Sequence, residues 1–207
     1  MKLTSRFTDH HPNLFAYQPA AEVHPHDVFL SKTVLRVLPQ WVTPNKMTTV
    51  RLLGIPVVVW IILHGDYLFG VILFLLLAST DALDGSLART RNKITQFGML
   101  YDPLADKLLI GSMVLVLVFQ QFHYLLGLAV LGIEVAFILI AAVAKIKFHT
   151  VRAANLWGKI KMILQVIAIF FTLLGLLLST PYLFTLAAWI FGLAIGFAIL
   201  SLFSQGI

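Results

Sequence analysis

Residues 79–109 read "STDALDGSLARTRNKITQFGMLYDPLADKLL" and set four aspartates, Asp81, Asp84, Asp102 and Asp106, into a chain that is otherwise rich in hydrocarbon. Whether these acids sit in soluble loops or inside membrane helices decides the fold. The chain has 207 residues, 59% of them hydrophobic and 12% charged, and its mean hydropathy is strongly positive. That composition excludes an ordinary soluble domain and indicates an integral membrane protein.

Outward from the acidic stretch, six segments are long and apolar enough to cross a bilayer, which takes roughly 20 residues. They are about 46–64, 67–88, 98–122, 124–145, 156–179 and 181–204. The expected fold is therefore all-α, a polytopic membrane protein with six transmembrane helices preceded by an amphipathic interfacial helix. The connectors "HGDY", "QFHY" and "STPY" are tight and carry no Lys or Arg. The 15 basic residues fall in the N-terminal region, in "ARTRNK", near the start of segment three, or around "KIKFHTVRAANLWGKIK". By the positive-inside rule both termini are expected in the cytosol. This topology absorbs most of the +6 net charge and removes the main argument for a nucleic-acid partner.

Residues 1–26 are polar and aperiodic, and are expected to be retained, because the first strongly apolar run begins near Leu52, too far in for a cleaved signal. Residues 27–41 place Leu30, Val34, Val37, Leu38 and Trp41 at helical spacing, with Asp27 a possible N-cap, which fits a helix lying in the interface. The expected organisation is a cytosolic segment over 1–42 and a membrane domain over 43–207. His24 and His26 read as exposed interfacial histidines rather than metal ligands. The absence of cysteine excludes a disulfide framework, a thiol nucleophile and a Cys-type metal site.

Segment two supplies 14 residues, 67–80, before Asp81, and segment three leaves 13, 107–119, after Asp106. Entering from opposite directions, the two helices bring their carboxylates to similar depth, in the cytosolic third of the bilayer. Asp81, Asp84, Gly85 and Ala88 are spaced i, i+3, i+4, i+7, and Gly98, Asp102 and Asp106 i, i+4, i+8, so each helix has one acidic stripe flanked by small residues. A nine-residue connector, Arg89 to Phe97, is expected to fold the pair into a hairpin with the stripes facing. Four ionised carboxylates there repel and are costly to desolvate, and Arg89 and Lys107 are too few to compensate. Oxygen-only ligands select hard cations, Mg²⁺, Mn²⁺ or Ca²⁺, and carboxylates shared between two helices suit a pair of ions that clamps phosphoryl oxygens. An ion-coupled transporter is the rival reading, since intramembrane carboxylates also serve transport, but transport does not account for the Gly, Ala and Arg at fixed offsets.

The pattern Asp81-x2-Asp84-Gly85-x2-Ala88-Arg89-x8-Gly98-x3-Asp102-x3-Asp106 resembles, without a mismatch, the signature of the CDP-alcohol phosphotransferases. The resemblance implies a six-helix membrane enzyme, a homodimer as a rule, that moves a phosphatidyl-type group from a CDP-linked lipid to an alcohol and releases CMP. It implies that Asp81, Asp84 and Asp102 hold one Mg²⁺ or Mn²⁺ ion and Asp81, Asp102 and Asp106 a second. Asp106 is the implied general base, and Gly85, Ala88, Arg89 and Gly98 match positions that contact cytidine and diphosphate.

Two further stretches resemble the phosphatidylglycerophosphate synthase branch. "PNKMTTVRLLGIP" contains Asn45, Thr48 and Arg51, and "GKIKMILQ" contains Gly158, Lys159, Lys161 and Gln165. Asn45 and Thr48 are thus implied to face the CDP-lipid, although both could equally cap a helix, and Arg51 could be a cytosolic anchor. Arg152, Lys159 and Lys161 are candidates to bind the phosphate of an acceptor such as glycerol 3-phosphate, with inositol 1-phosphate as the alternative. The fourth segment departs from that branch, keeping Glu134 but offering Ile133 where an Arg is usual. Glu134 reads either as a functional acid or as an inter-helix hydrogen-bonding group. The expected site faces the cytosol at a cell (cytoplasmic) membrane.

Overall fold

A computed structural model describes residues 33–37, 39, 42–90, 95–148 and 156–204, and the regular structure among them is entirely helical. A short turn, α1 (Val34–Val37), is followed by α2 (Pro44–Leu63), α3 (Tyr67–Thr90), α4 (Gln96–Met113), α5 (Tyr124–Phe148), α6 (Leu156–Leu178) and α7 (Pro181–Ser204). Beyond Met113, α4 continues as a π turn over Val114–Val118 and a last α turn over Phe119–Gln121.

The helix starts follow local chemistry. Thr43 caps α2, its hydroxyl accepting from the Lys46 amide at 3.4 Å, and Pro44 takes the first helical position, where its missing N–H costs nothing. Thr95 caps α4 by accepting from the Gly98 amide at 3.0 Å. Because of that cap, and because α3 runs on to Thr90, the helices reach further into the expected Arg89-to-Phe97 connector than their polarity suggests. Gly65, at φ +79°, makes the turn into α3.

Four helices, Pro44–Leu63, Tyr67–Thr90, Trp157–Leu178 and Pro181–Leu202, are long and apolar enough to cross a membrane. The α4 segment carries Asp102, Asp106 and Lys107 in its first two-thirds, and the apolar part of α5 runs over Tyr124–Phe137. Large apolar side chains face outward, with Trp60 61% and Trp189 72% exposed, as expected where lipid rather than water is the neighbour. This is a multi-pass helical membrane protein.

In lipid the helices gain little by hiding hydrocarbon, so close packing must hold them. At Gly54 of α2 a Cβ would lie 2.5 Å from the Leu77 side chain of α3, and at Gly70 of α3 one would lie 2.8 Å from Ile62 of α2. These reciprocal gaps seat the α2–α3 hairpin. The buried core joins Val58 and Ile62, Phe74, Met113 and Leu117, Ile169 and Leu173, and Phe191 from six helical stretches. α6 and α7 form the most extensive pair, and α2 packs on both α3 and α4. The latter two touch each other sparingly. Among the described residues the expected α3–α4 pair thus has few direct backbone approaches, and α2 bridges the two acidic helices.

Only Val34–Val37 of the expected interfacial helix is described as helix, and its Leu35 is buried with Met47 of α2 and Leu87 of α3. Of the rest of that helix only Thr33 and Pro39 are described, and His24, His26 and Arg152 lie outside the described residues.

Candidate active site

Arg51 is the seventh residue after the start of α2, or about 10 Å into the helix at 1.5 Å per residue. Asp81 and Asp84 lie in the second half of α3, and Asp102 and Asp106 in the first two-thirds of α4. Because the helices alternate in direction, all five groups collect at one end of the bundle.

Arg51 is completely buried and binds three of the four acids. Its Nη2 donates to Asp84 Oδ2 at 2.5 Å, and its Nη1 donates to Asp106 Oδ1 and, at 3.4 Å, to Asp81 Oδ1. Nε donates to the Thr80 hydroxyl at 3.0 Å, and that hydroxyl donates in turn to the Leu77 carbonyl at 2.6 Å. The fourth acid, Asp102, accepts from the hydroxyl of Thr48, which precedes Arg51 by three residues on the same face of α2. Thus all four signature aspartates converge on two α2 side chains. Asp84 is 1% exposed, Asp106 17% and Asp81 30%, so access from outside is graded across the cluster.

A second thread ties the helix starts together. The Thr95 hydroxyl donates to Asn45 Oδ1 at 2.6 Å, and Gly98 lies against this pair. A Cβ at Gly98 would sit 3.2 Å from Asp102 Oδ2 and 3.7 Å from Asn45 Oδ1. One at Gly85 would sit 3.4 Å from the Arg89 guanidinium. The glycines therefore adjoin the polar groups that the sequence reading gave to the nucleotide, with Ala88 one turn beyond Gly85.

Deeper along α5, buried Glu134 accepts from Lys161 Nζ at 2.5 Å and from Gln165 Nε2 at 2.9 Å. Lys161 also lies over the Phe137 ring, 4.7 Å from its centroid. Glu134 is thus an inter-helix link, and the Lys161 charge expected for an acceptor phosphate is engaged by it, whereas Lys159 is exposed. Lys107 follows Asp106 directly in α4. Beside them a groove of about 410 Å³ runs between α2, α4 and α5, lined by Leu52, Pro56, Lys107, Leu108, Ser112 and Leu115 among others.

The donors in the aspartate cluster are all oxygen, and one guanidinium against four carboxylates leaves it electronegative. That donor set fits hard divalent cations. Among the described residues no three acidic or imidazole side chains already surround a common ion position; the Arg51 guanidinium lies between the carboxylates instead. Arg51 is the residue that the sequence reading undervalued.

Residues 41–200 match the family model described as CDP-alcohol phosphatidyltransferase. The chain belongs to this family. Members are, as a rule, dependent on divalent metal, and membership makes the chain a membrane transferase of phospholipid synthesis. It is 36% identical over 143 residues, 61% of the chain and 73% of the relative, to the CDP-diacylglycerol–glycerol-3-phosphate 3-phosphatidyltransferase of Bacillus subtilis. A protein of the same name from Rickettsia felis is 42% identical over 77 residues, 36% of this chain and 42% of that one. A probable cardiolipin synthase (CMP-forming) of Drosophila melanogaster is 38% identical over 93 residues, 44% of this chain and 28% of the relative.

Proposed function

We propose that the chain transfers the phosphatidyl group of CDP-diacylglycerol to glycerol 3-phosphate and releases CMP. The observation that carries this reading is the convergence of the four signature aspartates on Thr48 and Arg51 at one end of the bundle. The names of the bacterial relatives point to the same acceptor.

In this reading Asp81, Asp84, Asp102 and Asp106 hold two Mg²⁺ or Mn²⁺ ions, which, when bound, neutralise the diphosphate and favour departure of CMP. Asp106, partly open and adjacent to Lys107, accepts the proton of the acceptor hydroxyl. That oxygen forms a bond to the lipid-bearing phosphorus, and the bond from this phosphorus to the bridging oxygen of the diphosphate breaks. Asn45, Thr48, Gly85, Ala88, Arg89 and Gly98 face the nucleotide and diphosphate, a reading supported by the packing of Gly98 against Asn45 and Asp102. Exposed Lys159 offers a charge for the phosphate of an acceptor, with Arg152 and Lys161 as the further candidates. The apolar groove between α2, α4 and α5 suits an acyl chain. The same reading takes 43–207 as a six-span domain, 1–42 and both termini as cytosolic, and the enzyme as a homodimer in the cytoplasmic membrane.

Purified protein given CDP-diacylglycerol, Mg²⁺ or Mn²⁺ and a panel of acceptors should release CMP and yield phosphatidylglycerophosphate as the main lipid by mass spectrometry. EDTA should abolish the reaction. No CMP with glycerol 3-phosphate, inositol 1-phosphate or phosphatidylglycerol would overturn the transferase assignment and leave the carboxylates to ion transport. Cardiolipin or an inositol lipid as the main product would overturn the acceptor alone.

A further inference from the structure

We propose that Arg51 is an internal cation that competes with divalent ions for the aspartates, so that metal binding is an exchange against its guanidinium. The inference rests on the metal-site reading above but concerns a residue outside the aspartate signature. Arg51 has no exposure to solvent, and its three nitrogens reach Thr80, Asp81, Asp84 and Asp106 at once.

Two physical consequences follow from that geometry. Each carboxylate oxygen that accepts a guanidinium N–H, Asp84 Oδ2 and Asp106 Oδ1 above all, is less available to a metal. A divalent ion binding there must displace charge-assisted hydrogen bonds, which lowers its affinity. Conversely, four clustered carboxylates without a counter-charge repel strongly in a low-dielectric setting. Arg51 opposes that repulsion whenever ions leave, so the helices need not separate between one occupancy and the next. The Thr80 hydroxyl, itself tied to the Leu77 carbonyl, holds Nε and so aims the fork at the acids.

The exchange depends on where the guanidinium sits and not only on its charge, which separates it from a long-range electrostatic effect. Arg51→Lys keeps the charge, but a single ammonium cannot engage three carboxylates in the same way. Thr80→Val leaves every charged group intact and loosens the fork. Mn²⁺ binding to the full-length protein in detergent, followed by the EPR signal of free Mn²⁺, should be about tenfold tighter in Arg51→Lys. In Thr80→Val it should be about threefold tighter. Arg51→Lys should also melt at a lower temperature than wild type in EDTA and gain more from added Mn²⁺. Should Arg51→Lys not fold, Thr80→Val decides. Mn²⁺ binding that is equal to wild type or weaker in the folded variants overturns the exchange and leaves the metal site standing. No Mn²⁺ uptake by wild type or variants overturns both.

Discussion

Asp81 and Asp84 are one helical turn apart and bind the same guanidinium, yet their surroundings differ. Asp84 is 1% exposed and Asp81 30%. Asp84 is the most deeply buried partner of the buried guanidinium, whereas a partly exposed pair such as that with Asp81 contributes about 1 kcal/mol or less, and in either variant Arg51 keeps two carboxylates. Asp84→Ala should therefore lower stability several-fold more than Asp81→Ala, read as melting temperatures in detergent with EDTA present. Equal losses would mean that Asp84 is not the acid that anchors Arg51. The aspartates themselves are legible in the sequence, since helical spacing puts each pair on one stripe. The role of Arg51 is not. Its partners lie 29 to 55 positions along the chain on two other helices, and such convergence leaves no local pattern to read.

Among the elements, α2 does the most to assemble the site, and it does so with Asn45, Thr48 and Arg51, spread over about two turns near its start. Six apolar runs announce the helices, because hydrocarbon periodicity is a strong signal, but not which helix separates which. The close fit of α2 on α3 depends on Gly54 and Gly70, whose meaning appears only once their partners Leu77 and Ile62 are known. Glu134 was open to two readings for the same reason, its partners Lys161 and Gln165 lying a whole helix away. Thr95 links the elements most economically, capping α4 and binding Asn45 of α2 with one hydroxyl. Thr95→Ala should destabilise the protein by about 1 kcal/mol. It should also raise KM for CDP-diacylglycerol while leaving KM for the acceptor unchanged. A rise in the acceptor KM alone would detach the Asn45–Thr95–Gly98 corner from the nucleotide.

For the whole molecule, the polar cluster at one end and the short connectors at the other give a direction that can be tested. Asp66→Cys, His123→Cys and Pro181→Cys, made in a chain without native cysteine, should each react with an impermeant thiol reagent added outside intact cells. A cysteine at Thr90 should react only after the membrane is opened. Reaction of position 181 from the cytosolic side alone would remove the six-span topology. The groove between α2, α4 and α5 bears on how such an enzyme meets its lipid. Its wall includes Leu108 and Leu115, which are 47% and 58% exposed, so in a bilayer it opens sideways among acyl chains. A substrate arriving by that route diffuses in two dimensions, and the concentration that governs saturation is its mole fraction in the membrane. Diluting CDP-diacylglycerol with inert lipid then slows the enzyme even when the amount per millilitre is unchanged.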